Sequence, residues 1–178
     1  MKLKNNLEVV IRELENKDAE AAVSYLNSVG GESDFLSFGE NEFKLTIEEE
    51  SLFIENMKKR ENAILLGAFY NEELIAIANL SGLSDWNRQK HRAVLGITIR
   101  KTFWNLGLGK EMMRQLLSFA SNHEYIEIIE LQVSTENLIA IALYESFGFE
   151  TVGKAKRFFK IGTKSCDAYY MQLDLKSK

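Results

Sequence analysis

The sequence predicts an α+β domain in which helices pack on a twisted, mixed sheet. Three observations carry this. Apolar runs at Ala63–Tyr70 and Glu73–Leu80 flank a polar pair, Asn71-Glu72, which is the signature of an antiparallel hairpin. Met112, Met113, Leu116, Leu117 and Ala120 recur at helical spacing. Strand-like and helix-like segments follow one another in the order βαα-βββ-αβ-αββ, without an internal repeat or a linker. The 178 residues fit one domain spanning 1–178, and 46% hydrophobic residues supply its core. That composition excludes a disordered or low-complexity chain.

Leu7–Leu14 reads as the first strand. Asp18 caps a helix over Ala19–Val29, which Gly30-Gly31 ends. An aromatic loop with Phe35, Phe38 and Phe43 follows, read as a small core beneath the loop or the wall of an acceptor pocket. Thr46 and Glu49 form a capping box, in which each side chain satisfies a free backbone N–H, and open a helix to about Arg60. Beyond the hairpin, Ser84–Gln89 is a polar loop and Arg92–Arg100 a strand. A helix runs from Gly107 to about Asn122, Ile126–Val133 is a buried strand, and Asn137–Phe147 is a second helix. Phe149–Ala155 and Ala168–Leu175 close the sheet. The chain has no proline, so its turns fall to Gly, Asn, Asp and Ser.

Several function classes are excluded. A single cysteine, Cys166, allows neither a disulfide framework nor a cysteine-cluster zinc site, and His91 and His123 leave little for a conventional metal centre. Cys166 reads as an inert thiol and His91 as a strand-edge polar residue. Met1 to Val10 lacks the apolar core of a signal peptide, and no stretch approaches a membrane span, so the expected location is cytoplasmic. A net charge of −4 argues against nucleic acid. Between Gly30 and Met57, eight acids face one base, Lys44. That bias is either a solvated helix face with its loop or an acidic lip that attracts a cationic small molecule.

The chemistry shows first at Ile97-Thr-Ile-Arg-Lys-Thr-Phe-Trp-Asn-Leu-Gly-Leu-Gly-Lys110, a strand, a two-glycine loop and the start of a helix. Glycine lets a ligand approach the backbone, and a helix start offers unpaired N–H groups, so this is a phosphate or pyrophosphate pocket. A Walker loop fails, because Trp104 and Glu111 stand at its first glycine and its Ser/Thr positions. A dinucleotide fingerprint lacks its third glycine at Met112 and follows a meander rather than a βαβ unit.

Loop and helix together resemble the pyrophosphate-binding segment of the GNAT superfamily of acetyl-CoA-dependent N-acetyltransferases, whose pattern is Gln/Arg-x-x-Gly-x-Gly/Ala. Gly107 and Gly109 match its last two fixed positions, while Trp104 replaces the usual Gln or Arg. About thirty residues on, Leu131-Gln-Val-Ser-Thr-Glu-Asn137 and Ala140-Ile-Ala-Leu-Tyr144-Glu-Ser-Phe-Gly-Phe149 resemble the later segment of the same superfamily. Asn137, Ala140 and Tyr144 share one helix face at spacings of three and four. The resemblance spans roughly Ala63 to Leu175, and Asp167-Ala-Tyr-Tyr-Met171 is similar to the last strand of bacterial members.

The resemblance implies a GNAT-like fold, a twisted, mostly antiparallel sheet of about seven strands with helices on both faces. It implies acetyl-CoA as acetyl donor, without a metal, and direct transfer to an amine within a ternary complex. The acceptor is a small amine, a polyamine-like compound or a protein amino group, and the acidic segment points to a cationic one. The implied cofactor contacts are Ile97, Thr98 and Ile99 on the strand, Trp104, Asn105, Leu106, Gly107, Leu108, Gly109 and Lys110 around the loop, and Asn137, Ala140 and Tyr144 on the later helix. A strand N–H within Ile97–Ile99 serves the oxyanion, and the Tyr144 hydroxyl serves as general acid toward the departing thiolate. Ala93-Val94 stand where many relatives carry a glutamate base, which leaves Glu130 or His91 acting through water, or the neutral amine itself. A non-catalytic acetyl-CoA-binding module of the same fold is the alternative reading. Monomer and homodimer are both compatible with the sequence.

Overall fold

A computed structural model describes residues 1–84 and 86–177, and its elements follow the order expected from the sequence. The strands are β1 (Val10–Glu13), β2 (Ala63–Tyr70), β3 (Glu73–Gly82), β4 (Arg92–Ile99), β5 (Ile128–Ser134), β6 (Glu150–Ile161) and β7 (Lys164–Asp174). They form a seven-stranded sheet in the order β1-β2-β3-β4-β5-β7-β6. Neighbours are antiparallel except β4 and β5, which run parallel and pair only over Arg92–Val94 against Ile128–Glu130.

Helices cover both faces. Side chains alternate across a strand, so Leu65 and Leu66 of β2 belong to different layers. On the Leu65 side, Tyr25 and Val29 of α1 (Ala19–Val29) and Ile54 and Met57 of α2 (Ile47–Lys59) pack with Leu74 and Ile77. On the Leu66 side, Met112, Met113 and Leu116 of α3 (Leu108–Ser121) join Ile141 and Tyr144 of α4 (Leu138–Glu145) over Ala78, Leu80, Leu95 and Ile129. The hairpin at Asn71-Glu72 forms as expected, both residues taking positive φ (48° and 66°), and the Thr46–Glu49 capping box closes at the start of α2.

Three local expectations change. The first strand begins at Val10 rather than Leu7, because Asn6 (φ 68°) bends the chain while Leu3 and Val9 turn into the core. Asp18 sits at the start of α1 but makes no cap bond to it. Its carboxylate instead binds the Arg12 guanidinium at 2.6 and 2.8 Å and the Glu15 N–H at 2.8 Å, and the Arg12 bond holds it below the usual carboxylate range. The last two strands extend into one long hairpin that turns at Gly162 (φ 59°). Lys156, Arg157 and Lys160 hid that extension, since a ladder held by backbone bonds needs no apolar alternation on an exposed strand. Among the described residues, no helix is long and apolar enough to cross a membrane, and no three His, Cys, Asp or Glu side chains gather as a metal site.

Candidate active site

The short parallel ladder opens the site. The Arg100 N–H donates to the Ile75 carbonyl and the Arg92 carbonyl accepts from the Leu83 N–H, so even-numbered residues of β4 bond β3. Odd-numbered residues therefore turn their peptide groups toward β5. Pairing with β5 ends at Val94 opposite Glu130, so Ile97 offers its N–H and C=O to an open gap between splayed strands. Thr98 points the other way. Its peptide bonds β3, and its hydroxyl accepts from the buried Tyr25 hydroxyl at 3.1 Å.

A cavity of about 760 Å³ occupies the splay. Its walls include Ile97, Thr98, Ile99, Trp104, Asn105, Gly107, Gly109, Lys110, Asn137, Ala140 and Tyr144, eleven of the residues singled out in the sequence. Leu106 and Leu108 send their side chains into the core instead, and can contribute only N–H groups.

The loop into α3 leaves a run of backbone donors unpaired. Asn105 (φ 61°) and Gly107 (φ 92°) reverse the chain, and α3 makes its first N–H bond only at Glu111, to the Gly107 carbonyl. Among the described residues, the N–H groups from Asn105 to Lys110 find no protein acceptor. Gly109 sits in close quarters, because a Cβ there would lie 3.2 Å from both Ile99 Cδ1 and Leu143 Cδ2 and would press on them. Lys110 and Lys4 bring positive charge to the same wall, and the Lys4 N–H ties the N-terminal segment to the Leu106 carbonyl at 3.1 Å. Lys4 was not foreseen, since it lies a hundred residues from the glycines. Trp104 contributes no donor to the cavity: its indole N–H is spent on the Ile99 carbonyl at 2.7 Å, and its ring stacks on Phe35 with centroids 6.4 Å apart. It anchors the loop where a Gln or Arg would otherwise stand.

On α4, Asn137 caps the helix by accepting the Ala140 N–H at 3.1 Å, and Ala140 and Tyr144 follow on the cavity face. The Tyr144 ring is buried against Phe149, and its hydroxyl meets no hydrogen-bond partner among the described residues. Burial pushes that hydroxyl up to about 12, so it is neutral and protonated at any ordinary pH.

Both base candidates lie outside the cavity wall. Glu130 is held in an ion pair by Arg92, and His91 uses its carbonyl to accept the N–H groups of Glu127 and Ile128 at the strand edge. The carboxylate that does reach the wall, Glu32, was missed. It is committed as well, accepting from Arg100 at 2.9 Å and from the Lys101 N–H at 2.6 Å. Glu32 thereby straps the loop after α1 to the end of β4. Glu32→Gln is expected to cost about 1.5–3 kcal/mol, the worth of a hydrogen bond to a charged partner, read as a lower urea midpoint at unchanged slope.

The acidic segment resolves into separate parts. Glu40 and Glu42 lie off the cavity wall, and Glu42 accepts the Gly39 N–H at 2.8 Å. Glu48, Glu49 and Glu55 belong to α2, where Glu49 completes the cap and Glu55 pairs with Lys59. Glu50 is buried, and desolvation raises its carboxyl above the usual range. Among the described residues, Glu32 is the acid of this segment that lines the cavity.

Comparison with known proteins bears on the family and the fold. The family model described as Acetyltransferase (GNAT) family matches residues 32–149. The L-amino acid N-acetyltransferase AaaT of Escherichia coli is 25% identical over 164 residues, covering 92% of this chain and 96% of that protein. The crystal structure of an acetyltransferase of GNAT family from Streptococcus pneumoniae superposes with a TM-score of 0.89 at 34% identity, over 94% of this chain and 99% of that one. A GNAT superfamily phosphinothricin acetyltransferase from Sinorhizobium meliloti, solved in complex with acetyl-CoA, shares the fold at a TM-score of 0.80 and 15% identity, over 94% and 88% of the two chains.

Proposed function

The chain belongs to the acetyltransferase (GNAT) family of acyltransferases, and from that premise we propose that it is an N-acetyltransferase carrying an acetyl group from acetyl-CoA to a primary amine by direct transfer. The observation that carries the donor is the run of unpaired N–H groups from Asn105 to Lys110 at the mouth of the strand gap. Unpaired backbone donors at a helix start suit a pyrophosphate, and Asn105, Gly107, Gly109 and Lys110 of this run line the cavity. Lys4 and Lys110 add the side-chain charge that Trp104 does not bring.

When bound, acetyl-CoA supplies an activated acetyl thioester. The chain's own groups do the rest. Ile97 directs its N–H into the gap, where it can take up negative charge developing on a carbonyl oxygen. Tyr144 holds a proton at its hydroxyl that it would give to a departing thiolate, and the proton lost by the acceptor nitrogen as the amide forms would restore the phenol. Asn137 caps α4 and so fixes the helix that carries Tyr144. No uncommitted carboxylate lines the cavity among the described residues, so the fraction of acceptor already neutral sets the rate, and turnover rises with pH toward the acceptor's own pKa.

A thermal-shift series tests the donor. Acetyl-CoA at a hundred times its Kd should stabilise the fold by about 2.7 kcal/mol, while ATP and NAD at equal concentration leave Tm in place. A shift with NAD alone, or none at all, would overturn the reading.

A further inference from the structure

Resting on the acetyltransferase reading, we propose that the acceptor is a primary amine on an aromatic or branched apolar body rather than a polyamine. Beyond β4, β5, α4 and the loop into α3, the cavity wall draws on two further segments. The loop after α1 contributes Phe35, Leu36 and Phe38, and the β6–β7 hairpin contributes Phe158 and Phe159. Neither segment belongs to the N–H-lined loop that suits the cofactor.

The hairpin's contribution is a constructed feature. The β6–β7 register shifts between Ala155 and Phe159, and Arg157 takes φ 54° within that bulge. Asp167 on β7 holds it, accepting the Arg157 N–H at 2.8 Å and pairing with Lys154 at 2.9 Å. A bulge of this kind re-aims side chains, and here two consecutive phenylalanines, packed edge to face at 4.8 Å, both reach the cavity wall. A regular strand would place them on opposite faces. Lys164 at the hairpin's far end pairs with Glu136 at 2.6 Å, tying the hairpin to the turn before α4. On the other side, Phe35 is fixed by its stack on Trp104 and Phe38 by its contact with Phe43.

Charge on this wall favours the same occupant. Glu32 is its acid among the described residues, and both of its oxygens are engaged by Arg100 and by the Lys101 N–H. A single ammonium can rest on the ring faces. A second or third charge along a polyamine would be desolvated with no counter-charge, which disfavours that ligand. An apolar body loses water against five apolar side chains instead.

The test is steady-state turnover followed by thiol release, with acetyl-CoA and a panel of 2-phenylethylamine, 3-methylbutylamine, putrescine and spermidine. The two apolar amines should exceed both polyamines in kcat/KM by about tenfold or more, since small apolar differences in a pocket already give that much. Phe159→Ala should raise KM for 2-phenylethylamine about tenfold and leave KM for acetyl-CoA in place, with Phe159→Leu recovering most of the loss. Polyamine preference, turnover of none of the four, or a Phe159→Ala effect on acetyl-CoA instead of the amine would each overturn the inference. Titration calorimetry with acetyl-CoA separates the two failures. Donor binding together with spermidine turnover leaves the acetyltransferase reading standing and removes only the acceptor class, whereas no donor binding removes both.

Discussion

Tyr144→Phe is expected to lower kcat by about 10²-fold or more while leaving the Kd for acetyl-CoA unchanged, the usual loss when a positioned acid is removed. The hydroxyl has no structural bond to lose. It meets no protein partner among the described residues, while its ring is buried against Phe149 and keeps the same contacts as phenylalanine. A merely structural tyrosine therefore predicts unchanged turnover and equal or slightly greater stability in the variant. The pH dependence of stability checks the burial of the hydroxyl independently. Burial raises Tyr144 in the folded chain to about 12, against about 10 when unfolded, so the proton is held more tightly by the native state. Its stabilising contribution is complete below pH 10 and is lost as the pH rises through 12. The wild type should lose stability across that alkaline window more steeply than Tyr144→Phe. Unchanged kcat in the variant would remove Tyr144 from the mechanism.

Gly107→Val should weaken acetyl-CoA binding by about 10²-fold, read by calorimetry, while the chain remains folded. Nothing lies within 4 Å of a Cβ at this position, so crowding is not the cause. The cause is φ 92° at the residue that caps α3, a conformation that a β-branched side chain resists at a cost of about 1–3 kcal/mol. Relief of that strain must rotate the neighbouring peptides, whose N–H groups are unpaired beside the cavity. A charge-assisted hydrogen bond lost on either side adds about 1.5–3 kcal/mol. Gly109→Ala acts by the other route, pressing on Ile99 and Leu143 at 3.2 Å, and should cost stability before affinity. An unchanged Kd for Gly107→Val would mean that the loop does not hold the donor.

Much of the molecule was legible because its signals are local. The Asn71-Glu72 turn, the Thr46–Glu49 cap and the helical repeat from Met112 to Ala120 each depend on residues within a few positions of one another. The same holds for the glycines of the loop and for the Asn137-Ala140-Tyr144 face, which all reach the cavity wall. The misreadings arose where contacts are distant. Asp18 looks like a cap, yet Arg12 across a turn claims its carboxylate. The sequence left the base open between Glu130, His91 and the neutral amine, and only the fold pairs Glu130 with Arg92 on the adjacent strand. The charges of Lys156, Arg157 and Lys160 concealed a hairpin held by its backbone ladder and by Asp167, which accepts the Arg157 N–H.

By itself, then, the sequence determined the order of elements, the family and the glycine loop that lines the cavity, because periodicity, caps and glycine positions act over a few residues. Only the tertiary structure decided which groups face the cavity and which are already spent. It takes the Trp104 indole for the Ile99 carbonyl, commits Glu32 to Arg100 and Lys101, and brings Lys4 beside α3 and Phe159 into the wall shared with Phe35. The physical reason is that availability for chemistry is a property of partners. Partners such as Glu32 and Arg100, 68 residues apart in the chain, meet only when the sheet has formed.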